Sequence, residues 1–131
     1  MPWEFNPNIP IYLQLMDKIK LGMIAGIYPP GSKMPSVRDL ANDAGVNPNT
    51  MQKALSELER DNLLFSQRTS GRYVTEDKIM VENLRQDLAE KQMQRFFSAM
   101  EELGIPREQI PVLINKALQK QSLQKTAKEM N

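Results

Sequence analysis

The sequence predicts a mostly α-helical chain with one small β hairpin, and three observations point to that class. Apolar residues recur at three- and four-residue spacing along most of the chain. A corner reading GVNPNT, residues 45 to 50, joins two such helical runs. Two short β-prone segments, LLFSQ and RYVT, stand close together with RTSG between them. The predicted order is three helices, the hairpin and a two-helix tail.

Taken in order, Pro10 suits the first turn of a helix running to about Gly26, where Tyr12, Leu15, Met16, Ile19, Met23 and Ile24 form one apolar stripe. YPPGSK breaks that helix, and Ser32 to Met34 reads as a short extended piece. In PSVRDLANDA, Ser36 caps a second helix, with Asp39 three residues on as the acid of a shortened capping box. Val37, Leu40, Ala41 and Ala44 make its inward face. Gly45 then takes the left-handed position that ends the helix, Val46 plugs the corner, and Asn47 caps the third helix. Pro48 falls at the first helical position, where its missing N–H costs nothing. The third helix runs to about Asp61 with Met51, Ala54, Leu55 and Leu58 inward and Asn49, Thr50, Gln52 and Lys53 on its exposed leading edge.

A three-helix unit with a tight, glycine-containing turn before its last helix is the pattern of a helix-turn-helix. The hairpin behind it reads as a wing. Its loop region carries Arg68 and Arg72 with no acid from Asn62 to Thr75, which suits a phosphate backbone or a minor groove.

MPSVRDLANDAGVNPNTMQKALSELERDNLL followed by SGRYV resembles the winged-helix DNA-binding domain of the GntR family of bacterial transcription regulators, over about residues 9 to 75. NPNT at the start of the third helix, together with a short helical tail, is most similar to the YtrA subfamily. The resemblance implies a sequence-specific regulator, a repressor that occupies a palindromic operator in double-stranded DNA as a homodimer. It implies DNA contacts from Arg38 on the second helix, from Asn47, Asn49, Thr50 and Gln52 around the start of the third, and from Arg68 in the wing. Gly71 matches the second glycine of the family's G-x-G-x-F-V pattern, with Tyr73 in the aromatic place. Ser36, Lys53 and Arg72 complete the candidate DNA-binding set as cap, phosphate contact and wing cation. Two departures matter. Pro48 stands where many members carry a base-reading arginine, and Thr69 replaces the first wing glycine. Plainer roles stay open: Arg38 paired with Asp43, Asn47 as a cap in any protein, Arg68 and Arg72 as ordinary hairpin charges, and the methionines as core fillers.

Composition narrows the function further. With 17 Lys plus Arg against 16 Asp plus Glu, the net charge of +1 gives no bulk signal for nucleic acid, so that reading rests on placement. The near-neutral charge also leaves open a winged helix used as a protein-interaction or RNA-binding module without operator recognition. The chain has no Cys and no His, which removes disulfides, thiolate or imidazole metal sites, and Cys or His catalysis. Neither G-x-S-x-G nor a phosphate-cradling glycine loop is present, so an enzyme is not expected, nor any cofactor or metal. No secretory h-region or long apolar stretch appears, and the expected location is the cytoplasm, on the nucleoid when DNA-bound, with no membrane partner.

Residues 1–75 are therefore expected to form the winged helix-turn-helix domain, with the helix-turn-helix at about 36–55 and the wing at about 63–75. Residues 76–131 are expected to form a helical dimerisation tail. There Thr75 caps a long helix in which Met80, Leu84, Leu88, Phe96, Met100 and Leu103 recur at roughly helical intervals, ending at Gly104 and Pro106. A turn or 3₁₀ piece comes next at about 106–110, then a helix from near Pro111 through Leu113, Ile114, Ala117 and Leu118. Lone helices cannot bury such stripes within themselves. They either pack back on the first domain or pair with a second subunit; the second is the expectation, through Leu84, Leu88, Phe96, Met100, Leu113 and Ile114. The tail is too short for the roomy effector domain of longer GntR proteins, so a small-molecule effector is not expected.

Overall fold

The first helix, α1 (Ile11–Ile24), starts immediately after Pro10, whose extended backbone serves as its flanking residue. Its stripe buries Leu15, Met16, Ile19 and Met23, while Tyr12 and Ile24 are half-buried. The computed structural model describes residues 3–130, and the chain divides into two compact units, Met1–Asp87 and Leu88–Asn131.

In the first unit, α2 (Val37–Ala44) and α3 (Pro48–Arg60) meet at the predicted corner. Ser36 Oγ accepts from the Asp39 N–H at 3.1 Å and opens α2. Gly45, at φ 73° and ψ 37°, closes α2 in the left-handed conformation that a side chain would strain. Asn47 Oδ1 accepts from the Asn49 N–H at 2.7 Å, and Pro48 takes the first helical position of α3. The far end of α3 turns through Asn62, at φ 62°, while the Leu63 N–H returns to the Leu58 carbonyl at 3.0 Å. That closure leads directly into β1 (Leu64–Gln67), which pairs antiparallel with β2 (Gly71–Val74) in the register Leu64 to Val74, Ser66 to Arg72 and Gln67 to Gly71.

The extended piece before α2 joins this sheet. Lys33 bridges Tyr73, the Met34 N–H donates to the Arg72 carbonyl at 2.8 Å, and the Val74 N–H donates to the Ser32 carbonyl at 2.9 Å. Leu15, Ile19, Leu40, Met51, Leu55, Leu58, Leu64 and Val74 are the large, fully buried side chains, drawn from all three helices and both strands. At about 1.5–3 kcal/mol for each such side chain, this cluster fixes how the helices and hairpin meet.

The helix α4 (Lys78–Glu102) starts later than its sequence suggests. The Thr75 N–H donates to the Leu63 carbonyl at 2.9 Å, so Thr75 still belongs to the base of the hairpin, and the cap of the helix is Asp77. Asp77 Oδ1 accepts from the Ile79 and Met80 N–H groups at 3.0 and 3.2 Å, and Thr75 Oγ1 supports it by accepting from the Asp77 N–H. Met80 and Leu84 pack against the core of the first unit, and Arg85 Nη2 donates to the Ile24 carbonyl at 3.3 Å. Leu84, expected at a subunit interface, thus has a contact inside its own unit.

In the second unit, a 3₁₀ turn, Arg107–Gln109, leads into α5 (Ile110–Met130). Pro111 falls in the first turn of α5, where its missing N–H has no helical partner to lose. Ile110 is buried, the Phe96 and Phe97 rings lie 6.0 Å apart, and Phe96, Leu113 and Ile114 stay 37–40% exposed.

Candidate nucleic-acid interface

The start of α3 is built to be both rigid and open. Its N–H groups are accounted for: Pro48 has none, Asn49 donates to the Asn47 side chain, and Thr50 and Met51 donate to the Asn47 carbonyl at 3.0 and 3.1 Å. Met51, Ala54 and Leu55 anchor the helix from beneath, which leaves Asn49, Gln52 and Lys53 exposed and Thr50 half-buried. Gln52 Nε2 donates to Ser56 Oγ at 3.3 Å, one turn along the helix. Lys53 Nζ sits 4.0 Å from the centre of the Tyr12 ring, a cation–π contact that gives the ammonium a preferred place.

On α2, the Ser36 hydroxyl is engaged as a cap, and Arg38 is exposed. Among the described residues no carboxylate lies within ion-pair distance of Arg38, Lys53 or Arg68, so the alternative pairing of Arg38 with Asp43 is not formed. Arg68 opens the three-residue loop of the hairpin, where the Ser70 N–H donates to the Gln67 carbonyl at 3.3 Å. Gly71 stands next at φ 102°, a conformation that needs glycine, whereas Thr69 has no positive φ. The missing first wing glycine therefore imposes no backbone strain here.

Arg72 is engaged within the fold. Its Nε donates to Glu59 Oε1 from the last turns of α3, and its side chain is only 16% exposed. The hairpin itself contains no acid, and this one comes from the preceding helix. Ser66 Oγ donates to the same Glu59 oxygen at 2.7 Å. Burial pushes the Glu59 carboxyl up, but the Ser66 and Arg72 hydrogen bonds and the Arg72 charge outweigh it and hold its pKa below the ordinary glutamate value.

Two further groups carry no sequence motif. Lys33 is exposed beside β2, with its side chain next to Gly71, and Tyr12 underlies Lys53. The extended reading of Ser32 to Met34 is the signal that could have brought Lys33 to the wing. In the second unit, Phe97, Arg107, Ile110, Pro111, Ile114 and Asn115 line an open cleft of about 450 Å³.

The profile of bacterial regulatory proteins of the gntR family matches residues 11–74, α1 through β2. The uncharacterized HTH-type transcriptional regulator YhcF of Bacillus subtilis is 36% identical over 107 residues, covering 82% of this chain and 88% of that protein. The chain belongs to the GntR family. This GntR regulator is also 43% identical over 70 residues to the HTH-type transcriptional repressor YtrA of Bacillus subtilis, covering 53% of this chain and 54% of that protein. Among solved structures, the GntR family transcriptional regulator from Listeria monocytogenes superposes with a TM-score of 0.76 at 39% identity, covering 86% of this chain and 98% of that one. The DNA-binding domain of AraR in complex with operator ORX1 superposes with a TM-score of 0.52 at 26% identity, covering 57% of this chain and 95% of that one. The helices and hairpin described above are thus the winged helix of a GntR-family transcriptional regulator. Among the described residues no helix is long and apolar enough to cross a membrane.

Proposed function

We propose that this regulator recognises an inverted-repeat operator in double-stranded DNA as a homodimer and represses transcription in the cytoplasm by occupying that site. The observation that carries the reading is the start of α3. It is a capped, well-anchored helix end that leaves Asn49, Gln52 and Lys53 exposed, with Thr50 half-buried beside them. In a helix-turn-helix the positions of Asn49, Thr50 and Gln52 meet base edges, where Asn and Gln favour adenine and Thr suits several partners, while Lys53 serves the phosphate backbone. Arg38 and Arg68 supply charge without an internal carboxylate partner, as phosphate contacts require. Ser36 and Asn47 serve first as caps, and Gly71 lets the wing loop close.

The operator complex of the AraR domain and the repressor name of YtrA support the same direction. Residues 1–75 are assigned the reading of DNA and residues 76–131 dimerisation. Phe96, Leu113 and Ile114 leave apolar surface open in the second unit, and Leu88 and Met100 are half-buried there. Leu84 contributes mainly to the packing of its own unit.

Selection of bound duplexes from a random pool, followed by sedimentation of the protein with and without the selected site, tests the reading. The expected result is an enriched inverted repeat bound by two chains, with half-sites about 34–36 Å apart or a multiple of that. Enrichment of no duplex sequence, with binding to structured RNA or to protein instead, would replace operator recognition with an interaction module.

A further inference from the structure

The Glu59 carboxylate lies in the last turns of α3, yet it reaches both strands of the wing. Ser66 on β1 and Arg72 on β2 are cross-strand partners, and both donate to the same oxygen, Glu59 Oε1. On the other side of β2, the Arg72 carbonyl accepts from the Met34 N–H at 2.8 Å. Arg72 is therefore fixed through its backbone by the segment before α2 and through its side chain by α3.

The position of this rung matters mechanically. The Leu64 to Val74 rung is buried in the core, whereas the Gln67 to Gly71 rung closes the exposed loop that starts with Arg68. The Ser66 to Arg72 rung lies next to that closing pair. A two-stranded hairpin is marginal by itself, so the direction in which its tip points depends on what grips it above the core. Among the described residues, Glu59 is the side chain of α3 that grips both strands there by hydrogen bonds.

We propose that Glu59, Ser66 and Arg72 form a latch between the recognition helix and the wing. They are positioning residues that set where Arg68 stands relative to the start of α3, and Arg72 acts as a strut, not as a DNA contact. This rests on the reading that α3 and the Arg68 loop engage one DNA duplex together. Its particular consequence is that Glu59, an acid with no business near phosphate, supports DNA binding.

The test is a thermodynamic cycle in the full-length protein on the selected duplex, with affinity measured across a salt series. Arg68→Ala is expected to weaken binding about tenfold and to lower the salt slope by about one unit per contact. Glu59→Ala removes a negative charge, which on simple electrostatics would strengthen binding; the latch instead predicts a loss of similar size to that of Arg68→Ala. Combining Glu59→Ala with Arg68→Ala should cost little beyond either change alone, because an unlatched wing has already lost the Arg68 contact. Glu59→Gln, which still offers an oxygen to Ser66 and Arg72, should recover most of the affinity. Additive losses, or tighter binding by Glu59→Ala, would overturn the latch.

Amide exchange of the free protein gives a readout independent of DNA. Exchange at Arg68 to Gly71 should rise in Glu59→Ala while Met51 to Leu58 keep their protection, and unchanged exchange in the loop would also overturn the latch. Should Glu59→Ala unfold, Ser66→Ala, which removes one of the two bonds to Glu59 Oε1, repeats the cycle with a smaller perturbation, and Glu59→Gln stays the control that keeps the latch. A parent protein that binds no duplex would sink the operator reading, whereas additive losses in a parent that binds would sink only the latch.

Discussion

Replacing Asn47 by Ala separates the two roles that one side chain holds at the start of α3. Asn47 Oδ1 accepts from the Asn49 N–H at 2.7 Å, and its carbonyl independently accepts from Thr50 and Met51. Asn47→Ala therefore orphans a single donor. Asn49 is exposed, so water can reach that N–H, and the full penalty for a buried unsatisfied group does not apply. The loss of unfolding free energy should be about 1 kcal/mol, within the range for cap removal, and about 4–8 °C in Tm for a domain of this size. Asn47→Asp should keep the cap, since a carboxylate accepts the same bond and favours a helix N-terminus. It places a negative charge where DNA is expected, however, so its affinity for the selected duplex should fall while its stability holds. Urea unfolding and a binding titration on the same three proteins provide the assay. Equal stability of Asn47→Ala and the parent would refute the cap argument, and parent-like binding by Asn47→Asp would remove Asn47 from the DNA-facing surface.

Leu58 is fully buried where α3 meets the core, and Leu58→Ala should cost about 2–5 kcal/mol by urea unfolding, a large part of the roughly 5–15 kcal/mol that typically holds a domain. Lys53→Met should reduce the salt slope of binding by about one unit per contact without changing which sequence is selected, and a changed sequence preference would show that Lys53 reads bases. Tyr12→Leu removes the ring beneath Lys53 and should weaken binding less than Lys53→Met does; a larger loss would mean that Tyr12 touches DNA itself. The folded pKa of Glu59 lies below its ordinary value of 4.5, so its contribution to stability is present above that value and fades as pH falls through the folded value. Glu59→Gln should therefore flatten the acid limb of stability against pH, as followed by circular dichroism, and an unchanged limb would show that the carboxylate gains nothing from Ser66 and Arg72.

The parts of this molecule that a reader can find in the sequence are those decided by neighbours along the chain. Ser36, Gly45, Asn47 and Pro48 act within a turn of their own positions, and the helix ends fall where those residues put them. The 3₁₀ turn before α5 is legible for the same reason, because Pro111 constrains only its first turn. The features that escaped depend on contacts that sequence spacing does not encode. Thr75 has the residue type of a cap, yet it pairs with Leu63 across the base of the hairpin and its hydroxyl supports Asp77, which caps α4 two residues later. Periodicity showed that Leu84 lies on an apolar face without saying what covers that face, and part of the answer is its own unit. The partner of Arg72 is not in the hairpin at all, because Glu59 reaches it from α3. Tyr12 beneath Lys53 and Lys33 beside Gly71 are likewise products of tertiary packing.

The central claim is that the open start of α3 reads bases. Its most direct measurement is the affinity of Asn49→Ala and Thr50→Ala for the selected duplex and for a scrambled one, with folding confirmed by thermal melts. Each substitution should cost about 1–3 kcal/mol on the selected site and leave scrambled binding nearly unchanged. Folded variants that bind both duplexes as the parent does would contradict the claim and take the start of α3 away from the bases.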